Sequence, residues 1–190
     1  MTAALRLTVR DLELLPDPLD DTRYELIDGV LHVSKQPSYE HQWLCAELAF
    51  ELVQWNRQSG LGRVTIAPGV IFAPDEAVAP DLVWVGRARE AQVVGKDGKL
   101  HAPPDLVIEV LSPGRRNQQR DRELKLDLYS RYQVREYWIV APRQRTLAVY
   151  RHRQGQLTLV ATLRPGDTLE SPVLPGFSLS LTELFADISI

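Results

Sequence analysis

Glu109 is a carboxylate in the middle of an otherwise apolar run, within the sequence PPDLVIEVLSP at residues 103–113. The run is rich in Val, Ile and Leu and ends at Ser112-Pro113-Gly114, which is typical of a strand buried on both faces. Glu109 is therefore expected on a central strand. Because a buried carboxylate shifts its pKa or finds a cation, Glu109 requires a nearby Lys, Arg or metal ion.

Other ionisable side chains occur where they can approach such a site. Asp81 follows a proline at the entrance to the predicted strand LVWV, and Lys125 is at the border of the buried face of a later helix. Glu25 is on one arm of a predicted hairpin, where an exposed acid is the simpler interpretation. Glu40 and His41 are in the first part of a helix, where solvated side chains, or a hydrogen-bonded His41, are expected.

Turn and cap signals predict the first elements. Asp28-Gly29 between two apolar arms predicts a β-hairpin at 23–34. A helix is predicted from Ser38 to about Ser59, with Gly60 as its stop and apolar residues four apart on one face.

The next part of the chain is predicted to hold strands and a loop. Two strand-like segments, 63–74 and 78–86, are separated by a turn region that contains Asp75 and Glu76. Residues 86–104 have charges, glycines and no sustained period, so they are predicted to form a loop with at most a helical turn.

A second helix is predicted after Gly114, followed by strands at 135–142, 145–153 and 156–163. Its core stripe is predicted to be Leu124, Leu128 and Tyr132. A neighbouring row, by the same four-residue spacing, holds Asp121, Lys125 and Tyr129. The tail at 165–185 is predicted to be a proline-rich wrap ending in a short helix.

Composition limits the class of protein. The 190 residues, 44% hydrophobic and 25% charged, fit one globular domain. Cys45 is the single cysteine, which excludes an internal disulfide, and it is expected to be a buried structural thiol rather than part of a zinc site. No apolar run approaches membrane-spanning length and no secretion signal is present, so we expect a soluble, cytoplasmic protein.

The formal net charge of −3 hides a local excess of positive charge. Residues 115–153 hold eleven Lys or Arg residues against four acids, so this segment carries +7 and the remainder −10. Such an excess favours binding to a polyanion, although a solvated helix face with surface arginines is the alternative.

The order of helix, three strands, helix and further strands resembles the core of PD-(D/E)XK nucleases, and more closely the Uma-two family of restriction-endonuclease-like proteins. Nearly the whole chain takes part. The residues that carry the resemblance are RYELIDG at 23–29, His41, VAPDLVWV at 78–85, PDLVIEVLSP at 104–113, Asp121 with Lys125 and Tyr129, and EYWIV at 136–140.

The resemblance implies an α/β fold with a restriction-endonuclease-like core at about 38–152. A mixed central sheet is flanked by two main helices, with the N-terminal hairpin on one side and extra C-terminal strands and a wrap at 153–190. The whole chain, 1–190, is then one domain.

The resemblance also implies a metal site. Asp81, Glu109 and the backbone carbonyl of Val110 are the implied ligands of Mg²⁺ or Mn²⁺. The pattern of the PD-(D/E)XK superfamily places a lysine two residues after the second acid, where this chain has Leu111. Lys125 matches the helix-borne lysine of the Uma-two family, and we expect it to reach back to the site and assist hydrolysis of a phosphodiester.

Further residues are expected to contribute to the site. Secondary contributions are expected from Glu25, Glu40, His41, Asp121 and Tyr129. The phosphates of DNA are expected to contact Arg115, Arg116 and Arg120, which gives salt-sensitive binding with little sequence information. A homodimer is consistent with cutting both strands.

Simpler explanations exist for each residue. Asp81 and Asp105 both follow proline and can bond local backbone amides, which is the favoured interpretation for Asp105. Glu109 can pair with an arginine from 115–122, and Lys125 can pair with Asp121. Two alternative functions therefore stay open: a catalytically weak DNA-binding or regulatory relative, and a structural or partner-binding module.

Overall fold

The structure is a computed structural model that describes residues 6–15, 22–112 and 119–188. A short helix, α1 (Val9–Glu13), precedes the hairpin of β1 (Arg23–Ile27) and β2 (Val30–Ser34). At the turn, Asp28 and Gly29 have φ values of 52° and 71°. Two successive positive φ values are what a tight two-residue hairpin turn requires, so the Asp28-Gly29 prediction is confirmed.

Helix α2 (Tyr39–Ser59) has the predicted bounds. The hydroxyl of Ser38 accepts a hydrogen bond from the backbone N–H of His41, and Gly60 ends the helix in the left-handed region at φ 64°. Both ends are thus determined by local signals.

Residues 62–86 form four strands instead of the two segments that the sequence predicted. These strands are β3 (Gly62–Ile66), β4 (Val70–Ala73), β5 (Glu76–Val78) and β6 (Leu82–Gly86). The first segment is split at Ala67, whose φ of 47° together with the following Pro68-Gly69 interrupts the extended chain. Glu76 is in a strand rather than a turn, and its buried carboxylate lies 2.7 Å from Nη1 of Arg131.

A short helix precedes the central strand. Helix α3 (Arg87–Val93) occupies the start of the predicted loop, because RAREAQV is rich in good helix formers. Strand β7 (Leu106–Val110) follows, and all five of its residues are buried, as predicted. Residues 113–118, and with them Arg115 and Arg116, lie outside the described residues.

The second main helix begins with a π-helical turn, Arg120–Leu124, and continues as α4 (Lys125–Arg131). The predicted core stripe is wrong in part, because Leu124 is 41% exposed while Leu128 is fully buried. The buried row is instead the polar one, Asp121, Lys125 and Tyr129. Its charges are buried because oppositely charged side chains meet them there, and the wide turn changes the direction of the residues within it.

The C-terminal part holds the predicted strands β8 (Glu136–Ala141), β9 (Thr146–Arg153) and β10 (Gln156–Leu163). The tail is more regular than a wrap. It forms an antiparallel hairpin of β11 (Thr168–Ser171) and β12 (Leu174–Ser180), followed by the short helix α5 (Leu181–Leu184).

The central sheet has six strands in the order β10-β9-β8-β7-β6-β3. Only β7 and β8 are parallel within it, so the sheet is mixed, as predicted. A second sheet has the order β2-β1-β5-β4, which places β1 between two neighbours.

The two main helices cover opposite faces of the central sheet. Leu44, Leu48 and Leu52 of α2 join one apolar cluster with Ile108 and Trp138. Leu128 and Tyr129 of α4 join another with Val107, Leu111 and Ile139. The prediction of a mixed sheet flanked by two helices is confirmed. Within the described residues, no helix is long and apolar enough to cross a membrane.

The phase of α4 can be tested with two leucines. We expect Leu128→Ala to lower the free energy of unfolding by about 2–5 kcal/mol, because it leaves a cavity in the core. Leu124→Ala removes the same atoms from an exposed side chain and should change it by less than about 0.5 kcal/mol. Urea unfolding measures both. Equal losses would place both side chains in the core and contradict the described phase.

Candidate active site

Strand register brings two of the predicted site residues together. Strands β6 and β7 pair Leu82 with Ile108 in antiparallel register. One residue further along the same register, Asp81 is opposite Glu109, and directly opposed residues project from the same face of a sheet. Both side chains are buried. The two carboxylates that the resemblance selected are therefore neighbours at the end of the central strands.

The backbone of Val110 belongs to the same arrangement. Its N–H donates to Oδ2 of Asp81 at 2.8 Å. Because the N–H and C=O of one strand residue point to the same side of the strand, the carbonyl of Val110 also points toward the Asp81 side. Val110 lines the cavity beside the two acids.

Lys125 reaches these carboxylates from helix α4. Its Nζ lies 2.8 Å from Oε1 of Glu109 and 2.9 Å from Oε1 of Glu25, and its side chain is 1% exposed. The local alternative, a pair with Asp121, is longer at 3.7 Å. Leu111, at the usual position of the lysine, contributes to an apolar cluster instead. Lys125, the helix residue expected to replace the strand lysine, thus contacts Glu109.

Glu25 is buried, so the expectation of an exposed acid is wrong. Strand β1 is interior to its own sheet, and the side chain of Glu25 is directed to Lys125. The same Oε1 accepts the N–H of Ala79 at 3.0 Å. The second oxygen, Oε2, lies 3.5 Å from Nη1 of Arg120. The alternation of side chains along a single strand does not show which face of that strand will pack against the rest of the protein.

His41 is part of the site and Glu40 is not. Nε2 of His41 lies 3.1 Å from Oδ2 of Asp81, and Nδ1 lies 3.7 Å from Sγ of Cys45. Glu40 is exposed and does not line the cavity. Cys45 is buried, as predicted, and burial raises the pKa of its thiol.

His41, Cys45 and Asp81 offer one nitrogen, one sulfur and one oxygen within 4.8 Å of one another. Sequence spacing gave no sign of this group, since Asp81 comes from a distant strand. Such mixed ligands suit a transition metal better than Mg²⁺. The imidazole lies between the other two side chains, and its two nitrogens face different partners.

The two remaining predicted residues hold the network from α4. The hydroxyl of Tyr129 donates to Oε1 of Glu109 at 2.9 Å. Asp121 is buried in the π-helical turn, where its backbone carbonyl accepts the hydroxyl of Tyr137 at 2.9 Å. Asp105, at the opposite end of β7, accepts the N–H of Gly86 at 2.9 Å and lies 2.7 Å from Nη1 of Arg89, so it bonds a backbone amide, but one on the neighbouring strand β6 rather than a local one.

Arg120 is directed inward. Its Nε lies 3.2 Å from Oδ1 of Asp121, its guanidinium donates to Ser34, and its side chain is 12% exposed. A contact to a DNA phosphate requires an outward orientation, so the geometry favours a structural role in neutralising Asp121 and Glu25. For Arg120, phosphate contact stays a prediction.

Sequence analysis missed Arg23. Its Nη1 lies 3.0 Å from the carbonyl oxygen of Ala79 and 3.3 Å from Oδ1 of Asp81. Arg23 is the first residue of the RYELIDG segment, but no periodicity or spacing indicates that β1 begins beside Asp81. The signal is in the pairing of β1 with β5, which only the three-dimensional structure gives.

The buried acids ionise unequally. Burial raises the pKa of Glu109 to about 8, against the charge of Lys125 and assisted by the charge of Asp81. Burial also acts on Asp81, but the hydrogen bond and charge of His41 outweigh it and lower the pKa to about 2. The pKa of Glu25 is lowered because Lys125 and Arg120 outweigh its burial.

Lys125 remains an ammonium ion in this cluster. Burial lowers its pKa, but the charges of Glu109, Glu25 and Asp121 outweigh that effect and raise the pKa above its ordinary value. Burial raises the pKa of Asp121 and, with the charge of Glu109, that of Tyr129.

Four acidic side chains are buried together in this site. Its acids are Glu25, Asp81, Glu109 and Asp121, and the cations that meet them most closely are Lys125, Arg120 and the partly exposed Arg23. Oε2 of Glu25 is buried without a hydrogen bond among the described residues. A divalent cation would favour the ionised form of Glu109, whose pKa is raised by burial.

A cavity of about 60 Å³ lies beside the two opposed acids. Such a volume accepts an ion with a few water molecules. Its wall includes Arg23, Lys35, His41, Asp81, Glu109 and Lys125. Carboxylate and carbonyl oxygens are the hard ligands that Mg²⁺ prefers, so the residues present fit such an ion.

Comparison with solved structures identifies the fold. A crystal structure described as "a putative nuclease belonging to DUF820" from Anabaena variabilis superimposes with a TM-score of 0.75. The two sequences are 19% identical, and the match covers 95% of this chain and 98% of that chain. The predicted restriction-endonuclease-like fold is confirmed.

The family is shown by sequence. The model of the Uma-two family, described as "Putative restriction endonuclease", matches residues 9–182, and the chain belongs to this family. Comparison with curated proteins gave no match.

The buried ammonium can be tested by unfolding. We expect Lys125→Met to lower the free energy of unfolding by about 3–5 kcal/mol, because Glu25 and Glu109 lose their closest cation. Adding Glu25→Gln should recover part of the loss by removing one unpaired carboxylate. The control is Lys96→Met on the surface, for which less than about 0.5 kcal/mol is expected. A Lys125→Met loss no larger than that of the control would contradict the described network.

Proposed function

We propose that this protein is a divalent-metal-dependent endonuclease that hydrolyses phosphodiester bonds of DNA. One observation carries the proposal: Nζ of Lys125 lies 2.8 Å from Glu109, whose neighbour across the strands is Asp81. Two acids and a lysine, the set that the PD-(D/E)XK pattern requires, therefore meet although Leu111 interrupts that pattern.

Asp81, Glu109 and the carbonyl of Val110 are the proposed ligands of Mg²⁺ or Mn²⁺. When bound, such an ion supplies positive charge at the phosphate and makes a coordinated water more acidic. Lys125 and Tyr129 both donate to Oε1 of Glu109. No described residue donates to Oε2, which is therefore the oxygen proposed as a ligand of the ion.

The remaining residues position these groups. His41 and the N–H of Val110 hold Oδ2 of Asp81, which fixes the orientation of the carboxylate and leaves Oδ1 for a ligand. Lys125 is the proposed catalytic residue, because its ammonium can orient the attacking water or neutralise charge that develops on the phosphate. Glu25 and Asp121 position Lys125 through their charges.

The substrate and assembly follow from chemistry and family. The description of the family as a restriction endonuclease supports DNA as the substrate. The basic balance of residues 115–153 supports contact with a polyanion. Two such sites in a homodimer would cut both strands in one binding event, and a homodimer is the proposed assembly.

A second function is favoured by the burial of Lys125. Its ammonium is enclosed and committed to two carboxylates at 2.8 and 2.9 Å. If these contacts persist when substrate is bound, the lysine cannot serve the reaction, and the protein would bind DNA without efficient cleavage. Wild-type protein that binds DNA but does not cleave it, with Mg²⁺ or Mn²⁺ present, would support this alternative.

Cleavage tests the proposed activity directly. We expect wild-type protein to nick or linearise supercoiled plasmid with Mg²⁺ or Mn²⁺ and to be inactive with EDTA. Asp81→Ala and Glu109→Ala should abolish the activity, and Lys125→Met should reduce it by about 10²–10⁴-fold. Single-stranded DNA and RNA assayed in parallel define the substrate class.

The control is Asp127→Asn, which alters an exposed carboxylate on the helix that carries Lys125. Its cleavage rate should equal that of the wild type. Cleavage that persists in both Asp81→Ala and Glu109→Ala would contradict the proposed site.

Metal binding gives a readout that does not depend on turnover. We expect Mg²⁺ to raise the melting temperature of the wild type, with a stabilisation of about 2.7 kcal/mol when free Mg²⁺ is about a hundredfold above its dissociation constant. EDTA should reverse the shift. Asp81→Asn and Glu109→Gln should show none, because each removes a charged ligand. An unchanged shift in both variants would place the ion elsewhere.

A further inference from the structure

Arg23 lies at the mouth of the cavity, and its guanidinium has two distinct neighbours. The carbonyl of Ala79 accepts from Nη1 at 3.0 Å, and Oδ1 of Asp81 lies 3.3 Å from the same nitrogen. The side chain is 32% exposed, whereas that of Asp81 is buried. Arg23 is therefore accessible from the mouth of the cavity, whereas Asp81 is fixed inside the site.

The two oxygens of Asp81 have different partners. Oδ2 is held by Nε2 of His41 at 3.1 Å and by the N–H of Val110 at 2.8 Å. Oδ1 is contacted, among the described residues, by Arg23 alone and at a longer distance. The oxygen that a divalent ion can take is thus the one beside the guanidinium.

An ion and a guanidinium compete for that oxygen. Both are attracted to the carboxylate, and they repel each other at such short distances in a partly desolvated site. A bound divalent ion would therefore release Arg23 from Asp81. The hydrogen bond to Ala79 does not involve the carboxylate and can keep the guanidinium at the mouth.

Released there, the guanidinium is suited to a phosphate. Its planar set of N–H donors matches phosphate oxygens, and charge-assisted hydrogen bonds of this kind are among the strongest in proteins. Lys35 and Ser34 also line the cavity, so the residues of and after β2 add a cation and a hydroxyl to the same mouth.

We propose that Arg23 exchanges partners: it neutralises Asp81 when no divalent ion is bound, and binds a phosphate of the nucleic-acid substrate once the ion has taken Oδ1. The proposal rests on the proposed function and deepens it by assigning a phosphate subsite to the N-terminal hairpin. It also makes metal binding and substrate binding depend on each other through one side chain.

Metal affinity is the first test. We expect Arg23→Gln to bind Mg²⁺ about two- to tenfold more tightly than wild type, because the competing cation has been removed. Arg23→Lys, which keeps the charge, should stay near the wild-type affinity. Arg63→Gln is the matched control, since Arg63 is exposed on β3 and pairs with Glu90. Titration of Mg²⁺ followed by calorimetry gives the affinities without turnover.

DNA binding is the second test, with a fluorescent duplex oligonucleotide and Ca²⁺ in place of Mg²⁺, the duplex being checked for integrity. We expect Arg23→Gln to bind about ten- to a hundredfold more weakly than wild type in Ca²⁺. The slope of log affinity against log salt concentration should be less steep for Arg23→Gln by about 0.9, which is the contribution of one phosphate contact. In EDTA, wild type and Arg23→Gln should bind equally, because Asp81 then holds the wild-type guanidinium.

The outcomes separate the two proposals. If Arg23 only supports Asp81, Arg23→Gln weakens Mg²⁺ binding and leaves DNA binding in Ca²⁺ at the wild-type level, which overturns the exchange alone. Equal effects of Arg23→Gln and Arg63→Gln on DNA binding would show a general loss of charge and overturn it as well. Wild-type protein that binds neither Mg²⁺ nor DNA would overturn both the exchange and the nuclease.

Discussion

The ammonium group of Lys125 is the interaction on which the rest of this structure depends. It joins three separate parts of the fold, because Glu25 belongs to the N-terminal sheet, Glu109 to the central sheet and Lys125 itself to helix α4. Burying several carboxylates together is costly, and a cation in contact with them offsets most of that cost. The site is therefore also a junction in the packing of the protein, and the same contacts serve stability and chemistry.

The position of Lys125 explains how a lysine can reach Glu109 although Leu111 stands where the PD-(D/E)XK pattern has a lysine. A strand residue two positions after Glu109 projects from the same face, and here that residue, Leu111, packs in the apolar cluster beneath α4. The positive charge comes instead from Lys125, on a helix whose first turn is π-helical. Such wide turns are frequent at functional sites, and this one sets where Asp121 and Lys125 enter the cluster. The geometry of the site, rather than the spacing of its residues, defines what it can do.

Sequence reasoning succeeded where the determining signals are local. The hairpin follows from Asp28-Gly29, the bounds of α2 follow from Ser38 and Gly60, and the burial of Glu109 follows from its apolar neighbours. It failed where a distant segment decides. Glu25 is buried because its side chain meets Lys125 of helix α4, and Leu124 is exposed because the polar row that contains Lys125 takes the buried face of the same helix. Arg23 was missed because strand pairing brings it to Asp81, and no periodicity within one strand contains that information.

The junction at Lys125 has a consequence for the order in which the protein becomes competent. The chain is synthesised from its N-terminus, so the acids of β1, β6 and β7 leave the ribosome before the helix that supplies the ammonium. A nascent or truncated chain that ends before α4 has the carboxylates but lacks the lysine, and the unpaired acids repel one another and oppose closure of the hairpin sheet. A site that spans the fold in this way is therefore incomplete until helix α4 has been synthesised and has packed against the strands that carry the acids.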